Sequence, residues 1–279
     1  MSEKLIALIG AGGKMGRRIS PNLRKFGYTF IGCEKDETGV AALREEGIDA
    51  RPTEEAMALA NFVVFTLPDA ALPALSKALV PLMKPGATAI SLDPSAARLG
   101  LLHTRDDVNF VVVHPCHPPL FGDCDSEAEK NDLFGGIAAK QDIVIALLQG
   151  DETAYIEAEA LCRHMFHPVV DCHRITVEQM AILEPAAAEV VCATCAVIMK
   201  EAIDESVSRG VPEAAARSFL LGHIQIPLAI MLNSSNPFSD AAKIAIDYGK
   251  RHIIRADWRS VFEPDKIEEV LREMLHLEA

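Results

Sequence analysis

The apolar run at residues 4–10 (KLIALIG) leads directly into Ala11-Gly12-Gly13-Lys14-Met15-Gly16 and then into a helical stretch reaching about Phe26. This feature constrains the fold more than any other in the chain. A short, wholly apolar segment closed by glycine suits a strand buried on both faces of a parallel sheet. Glycines at that point permit a tight turn, close approach of the backbone to a pyrophosphate and close helix–strand packing, with the helix N-terminus facing the phosphates. The last glycine falls one residue later than in G-x-G-x-x-G, and the loop reads equally as G-x-x-G-x-x-G through Gly10, Gly13 and Gly16. Residues 10–16 are the expected cradle of a dinucleotide.

A second strand at 28–34 (YTFIGCE) ends on Glu34, 18 residues beyond Gly16. An acid at that point binds the ribose hydroxyls and disfavours a 2′-phosphate, which predicts NAD over NADP. Lys35 beside it keeps a phosphate-binding alternative open. The alternation continues with a helix near 37–46, a short strand around 48–51, and strands at 61–67, 87–92, 109–113 and 142–148. Strands alternating with helices at this spacing predict a Rossmann-type, doubly wound parallel sheet in residues 1–150. Ligands of such sheets lie outside the carboxyl ends of the strands, which places Thr66, Leu67, Pro68, Asp93 and His114 near the cofactor.

His114-Pro115-Cys116-His117-Pro118-Pro119 is the most unusual local sequence. Three prolines stiffen the backbone and hold two imidazoles at a strand end. Imidazole suits proton removal from a hydroxyl during hydride transfer, and it is also a common ligand of divalent metals. The polar segment that follows, with Asp123, Asp125 and glycines 135 and 136, reads as a covering loop; Lys140 after it is a candidate partner for a substrate carboxylate.

Residues 151–279 are expected to form a mostly helical second domain for substrate and dimerisation. A helix at 151–166 and a strand-like segment (PVVDCHRITV) lead to a helix over 177–208 that is apolar nearly all round, so it is expected to be buried, against a second subunit among other options. Glu178, Glu184 and Glu189 stand within it. At about 100° per residue Glu178 and Glu189 share a face, and Glu184 lies on another side. A later apolar helix carries His223. Glu184, Glu189 and His223 are candidates for the second half of the site because acids and imidazoles in apolar company need compensation. A divalent metal held by His114 or His117 with Glu184, Glu189 or His223 would supply it, although no tight ligand spacing marks one. Lys243, in a helix beginning near Ser239, is a further candidate carboxylate partner.

Composition narrows the function classes. A net charge of −13 over 279 residues argues against nucleic acid, whose phosphates demand clustered Lys and Arg. No signal peptide is read at the N-terminus, and the apolar stretches are interrupted before membrane-spanning length, so no membrane segment is expected. Seven cysteines without zinc-ribbon spacing fit reduced thiols in the cytoplasm.

GAGGKMG, LDPSAA, HPCHPPLF, FGGIAAKQDIV, HRITVEQMAILEPA and PFSDAAKIAI together resemble bacterial NAD-dependent oxidoreductases of the D-apionate oxidoisomerase family, which carry a phosphogluconate-dehydrogenase-like C-terminal domain. The resemblance implies oxidation of a branched sugar acid at its 2-hydroxyl, coupled to a carbon-skeleton shift that yields 3-oxo-isoapionate. Such a shift is similar to ketol-acid reductoisomerase chemistry, in which a metal polarises adjacent oxygens. Two other readings stand beside it: a plain 2-hydroxy-acid or prephenate-dehydrogenase-like enzyme without rearrangement, and a redox sensor that binds NAD without turnover. Two imidazoles at the nicotinamide end argue against the sensor.

Overall fold

The computed structural model describes residues 4–233 and 236–277. These form two compact units. One runs up to Ala181 and takes in the segment from Leu271; the other is Ile182–Val270. The first unit therefore extends past the expected boundary at 150.

The first unit is built on seven strands: β1 (Ile6–Ile9), β2 (Phe30–Cys33), β3 (Phe62–Phe65), β4 (Thr88–Ser91), β5 (Asn109–Pro115), β6 (Gln141–Gln149) and β7 (Val169–Arg174). Their order across the sheet is β2-β1-β3-β4-β5-β6-β7. Strands β1 to β5 are mutually parallel, as the apolar, non-alternating sequences require. Strand β6 departs from the all-parallel expectation, running antiparallel to β5, and β7 is parallel to β6. The register puts Ile9 level with Cys33 and Phe65, Phe65 level with Ser91, and Ser91 level with Val112. The carboxyl ends of β1, β3, β4 and β5 thus finish in one row, and that row carries the site.

Helices cover both faces. Ile6 and Leu8 point to a core shared with α1 (Lys14–Lys25) and a later helix, through Ile19, Leu23, Leu161 and Met165. Ala7 and Ile9 point the other way, to Met57, Leu72 and Leu79. These belong to the helices that follow α2 (Glu37–Glu45): α3 (Thr53–Leu59) and α4 (Leu72–Leu79). After β4 comes α5 (Ser95–Arg98), and after β5 comes α6 (Glu127–Asn131). The later helix is α7 (Glu152–Met165), capped by Asp151, whose side chain accepts from the Ala154 amide at 2.9 Å. Val177 and Met180 of α8 (Val177–Ala181) close a third cluster with Val112 and Ala146.

Two strand readings are corrected. Residues 48–51 form no strand; they trail along the edge of β2 with one bond, from the Arg51 amide to the Gly32 carbonyl at 2.9 Å. The segment PVVDCHRITV, assigned to the helical domain, supplies β7 to the sheet of the first unit.

In the second unit a π-helix (Ile182–Ala193) continues α8 and is followed by α9 (Thr194–Ser208), α10 (Glu213–Leu232) and α11 (Asp240–His252). Pro264–Met274 forms α12. Within the single chain the 177–208 helix is not covered as expected: Ile182, Leu183, Val197 and Ile198 are exposed, and so are Phe219, Leu221, Ile226 and Met231 of α10. By length and composition Val177–Ser208 and Glu213–Leu232 are also long and apolar enough to cross a membrane, contrary to the sequence reading.

Candidate active site

The glycine loop meets the demands of a pyrophosphate cradle. Gly10 has φ +79°, and a Cβ there would stand 2.6 Å from the Thr66 carbonyl oxygen, so only glycine fits. A Cβ on Gly16 would fall 2.4 Å from the Ala11 carbonyl, which is how the first turn of α1 comes to lie against the loop. The Thr66 hydroxyl donates to the Ile9 and Gly10 carbonyls at 2.8 and 3.0 Å, so its role is to tie the loop to β3. The Leu67 side chain packs against Gly10, and Pro68 starts the short 3₁₀ turn Asp69–Ala71. Gly13 caps α1 without any side-chain hydrogen bond, and no acid occupies the first turn. The helix thus presents its first amides, and Lys14 with them, to an anion.

Glu34 closes the far side of the cradle. Its Oε2 accepts from the Gly12 amide at 3.1 Å, and its Oε1 accepts from the Lys35 and Asp36 amides at 2.8 and 3.1 Å. The carboxylate is fixed against the glycine loop, where a ribose would reach it. These residues fit a bound dinucleotide.

At the ends of β4 and β5 the predicted residues come together. Asp93 is buried, and its Oδ1 accepts from the Ser95 amide at 2.7 Å. His114 is bonded through Nδ1 to the Leu92 carbonyl at 2.8 Å, and His117 through Nδ1 to the Phe134 carbonyl at 2.9 Å. A carbonyl only accepts, so each Nδ1 carries a proton, and in the neutral form of either ring Nε2 is the acceptor nitrogen. The two rings stand 6.2 Å apart and nearly perpendicular. Burial pushes the His114 pKa down; the Leu92 bond and the Asp93 charge oppose this only in part. His114 is therefore neutral at physiological pH, the state a base requires. His117 has φ +60°, an uncommon conformation for a residue with a side chain, held between prolines 115 and 118.

The covering loop is fastened to α1. Buried Asp132 accepts from the Ile137, Ala138 and Ala139 amides at 3.0, 2.8 and 3.1 Å and pairs with Arg18. Burial alone would raise the Asp132 pKa; the three amides and Arg18 together bring it below the usual range. Asn22 of α1 donates to the Gly136 carbonyl at 2.9 Å. Sequence reasoning missed Asp132, Arg18 and Asn22, because each looks like a solvated polar residue until the loop is folded back on α1. Gln141, buried at the start of β6, was missed for the same reason. Lys140 lies 3.9 Å from Asp125 and is exposed.

The second unit places its own candidates. In a π-helix the amide of residue i+5 bonds the carbonyl of residue i, so residues five apart succeed one another on one face. Glu184 and Glu189 are five apart, and the π register puts them on the same side, correcting the α-helical expectation. Glu189 is exposed, as is Glu178. His223 is exposed too, stacked on Phe219 at 3.9 Å with its Nδ1 on the Phe219 carbonyl. The cost of burying these groups, which motivated a metal, is thus not incurred for Glu189 or His223 within the chain. Among the described residues no three His, Cys, Asp or Glu side chains form a cluster able to hold a metal ion. Lys243 is engaged with Asp240 at 3.0 Å in the first turn of α11, which Ser239 caps.

Comparison with known proteins agrees with this architecture. Residues 1–121 match the acetohydroxy acid isomeroreductase NADPH-binding domain, and residues 123–275 match the phosphogluconate dehydrogenase (decarboxylating) C-terminal domain. The D-apionate oxidoisomerase of Pectobacterium atrosepticum is 43% identical over 99% of this chain and 97% of its own. That of Rhizobium rhizogenes is 43% identical over 94% and 96%. A crystal structure of a semialdehyde dehydrogenase NAD-binding protein from Cupriavidus necator, in complex with calcium and NAD, superposes with a TM-score of 0.94 at 41% identity, covering 97% of this chain and 99% of that one. With that identity sustained over nearly the full length, the chain belongs to the family of the D-apionate oxidoisomerases, enzymes of the NAD-binding oxidoreductase class.

Proposed function

We propose that this enzyme oxidises a hydroxyl of a branched sugar acid with NAD and isomerises the carbon skeleton, D-apionate being the substrate for which its relatives are named. The observation that carries the reading is the imidazole pair: His114 and His117 each hold Nδ1–H on a backbone carbonyl, which makes Nε2 the acceptor of the neutral ring, at the strand ends by the dinucleotide cradle. Bound NAD would accept the hydride. The chain's own part is to take the hydroxyl proton onto one of these Nε2 atoms and to hold the acid in place. The experiment is to follow NADH formation with D-apionate and to identify the product by NMR, since rearranged and unrearranged oxo acids have the same mass. No NADH from D-apionate would sink the reading, and an unrearranged product would reduce it to a plain hydroxy-acid dehydrogenase.

Three further assignments belong to this proposal. NAD is preferred over NADP because an acid at the end of the second strand, here Glu34, disfavours a 2′-phosphate, and its bond to the Gly12 amide supports that role. The matching domain model is described as NADPH-binding, whereas the Cupriavidus protein holds NAD; Glu34 favours the second. The enzyme is a homodimer, because the apolar faces of α9 and α10 are exposed in the single chain and a second copy is the partner always available. A membrane is a poor alternative cover, since Glu184 and Glu189 interrupt the first stretch and Arg217, His223 and Pro227 the second. The seven cysteines are free, which supports a cytoplasmic location. The calcium of the Cupriavidus structure suggests a cation in this reaction, but the described residues assemble no cluster for one, so no step is assigned to it. Turnover after chelation and metal return decides whether Glu184 and Glu189 are ligands or hydrogen-bonding groups.

A further inference from the structure

We propose that Arg18 and Asp132 are positioning residues for His117. Their ion pair ties the covering loop to α1, and the loop in turn holds the imidazole at a fixed place relative to the dinucleotide cradle. The inference rests on the oxidoreductase reading above and commits its proton transfer to His117.

His117 needs such a hold. It is exposed, its backbone has φ +60°, and its Nδ1–H bond to the Phe134 carbonyl at 2.9 Å reaches 17 residues along the chain. That bond decides which ring nitrogen keeps the proton, and so which one is open to a substrate hydroxyl. The Phe134 ring adds a second contact, standing edge-on to the imidazole with centroids 5.9 Å apart. Both contacts with the covering loop come from one residue, so the imidazole is placed only as well as Phe134 is placed.

Asp132 places it. The Asp132 Oδ2 accepts from the Ile137, Ala138 and Ala139 amides, and its backbone carbonyl accepts from the Gly135 amide at 3.1 Å. The turn around Phe134 is thus closed on Asp132 by side chain and backbone together. The other oxygen, Oδ1, pairs with Arg18 of α1, 114 residues away in sequence. The same guanidinium donates to the Gly135 carbonyl and lies over the Phe134 ring, 5.6 Å from its centroid. Arg18 therefore reaches His117 by two routes, the carbonyl and the ring. It stands just past the first turn of α1, the helix whose N-terminus faces the pyrophosphate. One rigid helix sets both the dinucleotide and the imidazole. Oxidation of an alcohol sends a hydride to the first and a proton to the second, and the rate depends on their spacing.

The test is Asp132→Asn, in which the amide oxygen keeps the bonds from residues 137–139 and an NH2 group replaces the oxygen that pairs with Arg18. NADH formation from D-apionate and the nitrogen NMR signals of the His117 ring are measured side by side. The substitution should lower kcat by about tenfold to a hundredfold, with NAD affinity within about twofold of wild type. At about pH 8.5, where imidazole is neutral, the wild-type ring should hold one tautomer, Nδ1–H, and the variant a mixture. Should Asp132→Asn fail to fold, Arg18→Met, which leaves the three amide bonds in place, is read in the same way. Arg18→Lys keeps the charge without the fork and should recover part of the loss, whereas Lys130→Ala, elsewhere on the loop, should change neither signal nor rate. On a His117→Asn background Asp132→Asn should lower kcat no further, because the two act as one device. An additive loss there, an unchanged imidazole signal in both Asp132→Asn and Arg18→Met, or wild-type turnover in His117→Asn would overturn the proposal. If the wild-type enzyme does not oxidise D-apionate, the functional reading has failed on its own, and the imidazole signals alone then decide whether the pair positions His117.

Discussion

The two units of this chain treat their polar groups and their apolar surface in opposite ways. In the first, the central strands β1, β3 and β4 are buried on both faces, and several polar residues are tied to partners distant in sequence: Asp132 to three amides and an arginine, Asn22 to a carbonyl of the covering loop, Glu34 to the glycine loop. In the second, apolar side chains of α9 and α10 stand exposed, and ion pairs such as Lys200–Asp204 and Lys243–Asp240 are solvated pairs three or four residues apart on one helix. The first unit is a packed core with the candidate site on its rim. The second leaves apolar surface open in the single chain. What the difference teaches is that chemistry and assembly can be perturbed separately.

Several substitutions would break or sharpen that division. The largest effect is expected from His114→Asn and His117→Asn, of which at least one should lower kcat by about 10²–10⁴ with NAD affinity retained. If both keep near-wild-type turnover, the first unit does not hold the proton-transfer group. Next, Asp132→Ala should cost about 3 kcal/mol in urea unfolding, because it strips a nearly buried carboxylate from Arg18 and three amides. Asp204→Ala, in a solvated pair of the second unit, should cost well under about 1 kcal/mol. Equal costs would erase the contrast. Third, Leu221→Glu together with Ile226→Glu should weaken self-association by about 2 kcal/mol or more, read as a shift toward monomer in sedimentation at micromolar concentration. A wild-type enzyme that is already a monomer there would refute the dimer.

Two smaller effects concern the rim. Glu34→Ala should narrow the preference for NAD over NADP by about tenfold, measured by calorimetry. The pH profile follows from His114. Its pKa lies below the ordinary 6.5, so the base is unprotonated above that value, and the acidic limb of kcat/KM should fall below pH 6.5. The stability effect has the matching sign: an unfolded His114 takes up its proton first as pH drops through 6.5, so the folded state loses this contribution toward acid. A limb centred above 6.5 would point to a base in a more solvated or anionic setting.

Much of the first unit was legible in the sequence because its signals are local. An apolar run ending in glycines, or an acid closing the next strand, is readable without knowing the neighbours. The direction of β6 was not legible, since residues 142–148 are as apolar as any parallel strand and nothing in them reports orientation. Asp132 and Gln141 were hidden because their partners lie far off in sequence, on α1 and after α7. The acids of the 177–208 helix were misplaced for a subtler reason. An α-helical turn sets Glu184 and Glu189 on different sides, and a π register, which the composition does not announce, brings the two together.

The reversal of β6 has a consequence for how such enzymes diverge. A parallel successor to β5 would have needed a crossover that returns to the opposite edge of the sheet. An antiparallel one lets residues 116–140 leave and re-enter at the same edge. The loop thus hangs between two fixed posts, and apart from His117 and the Asp132 tether its length and side chains can vary while the strand order stays as it is. A lineage with this topology can redraft one contiguous stretch of its gene at the rim of the candidate site without reordering the sheet beneath it.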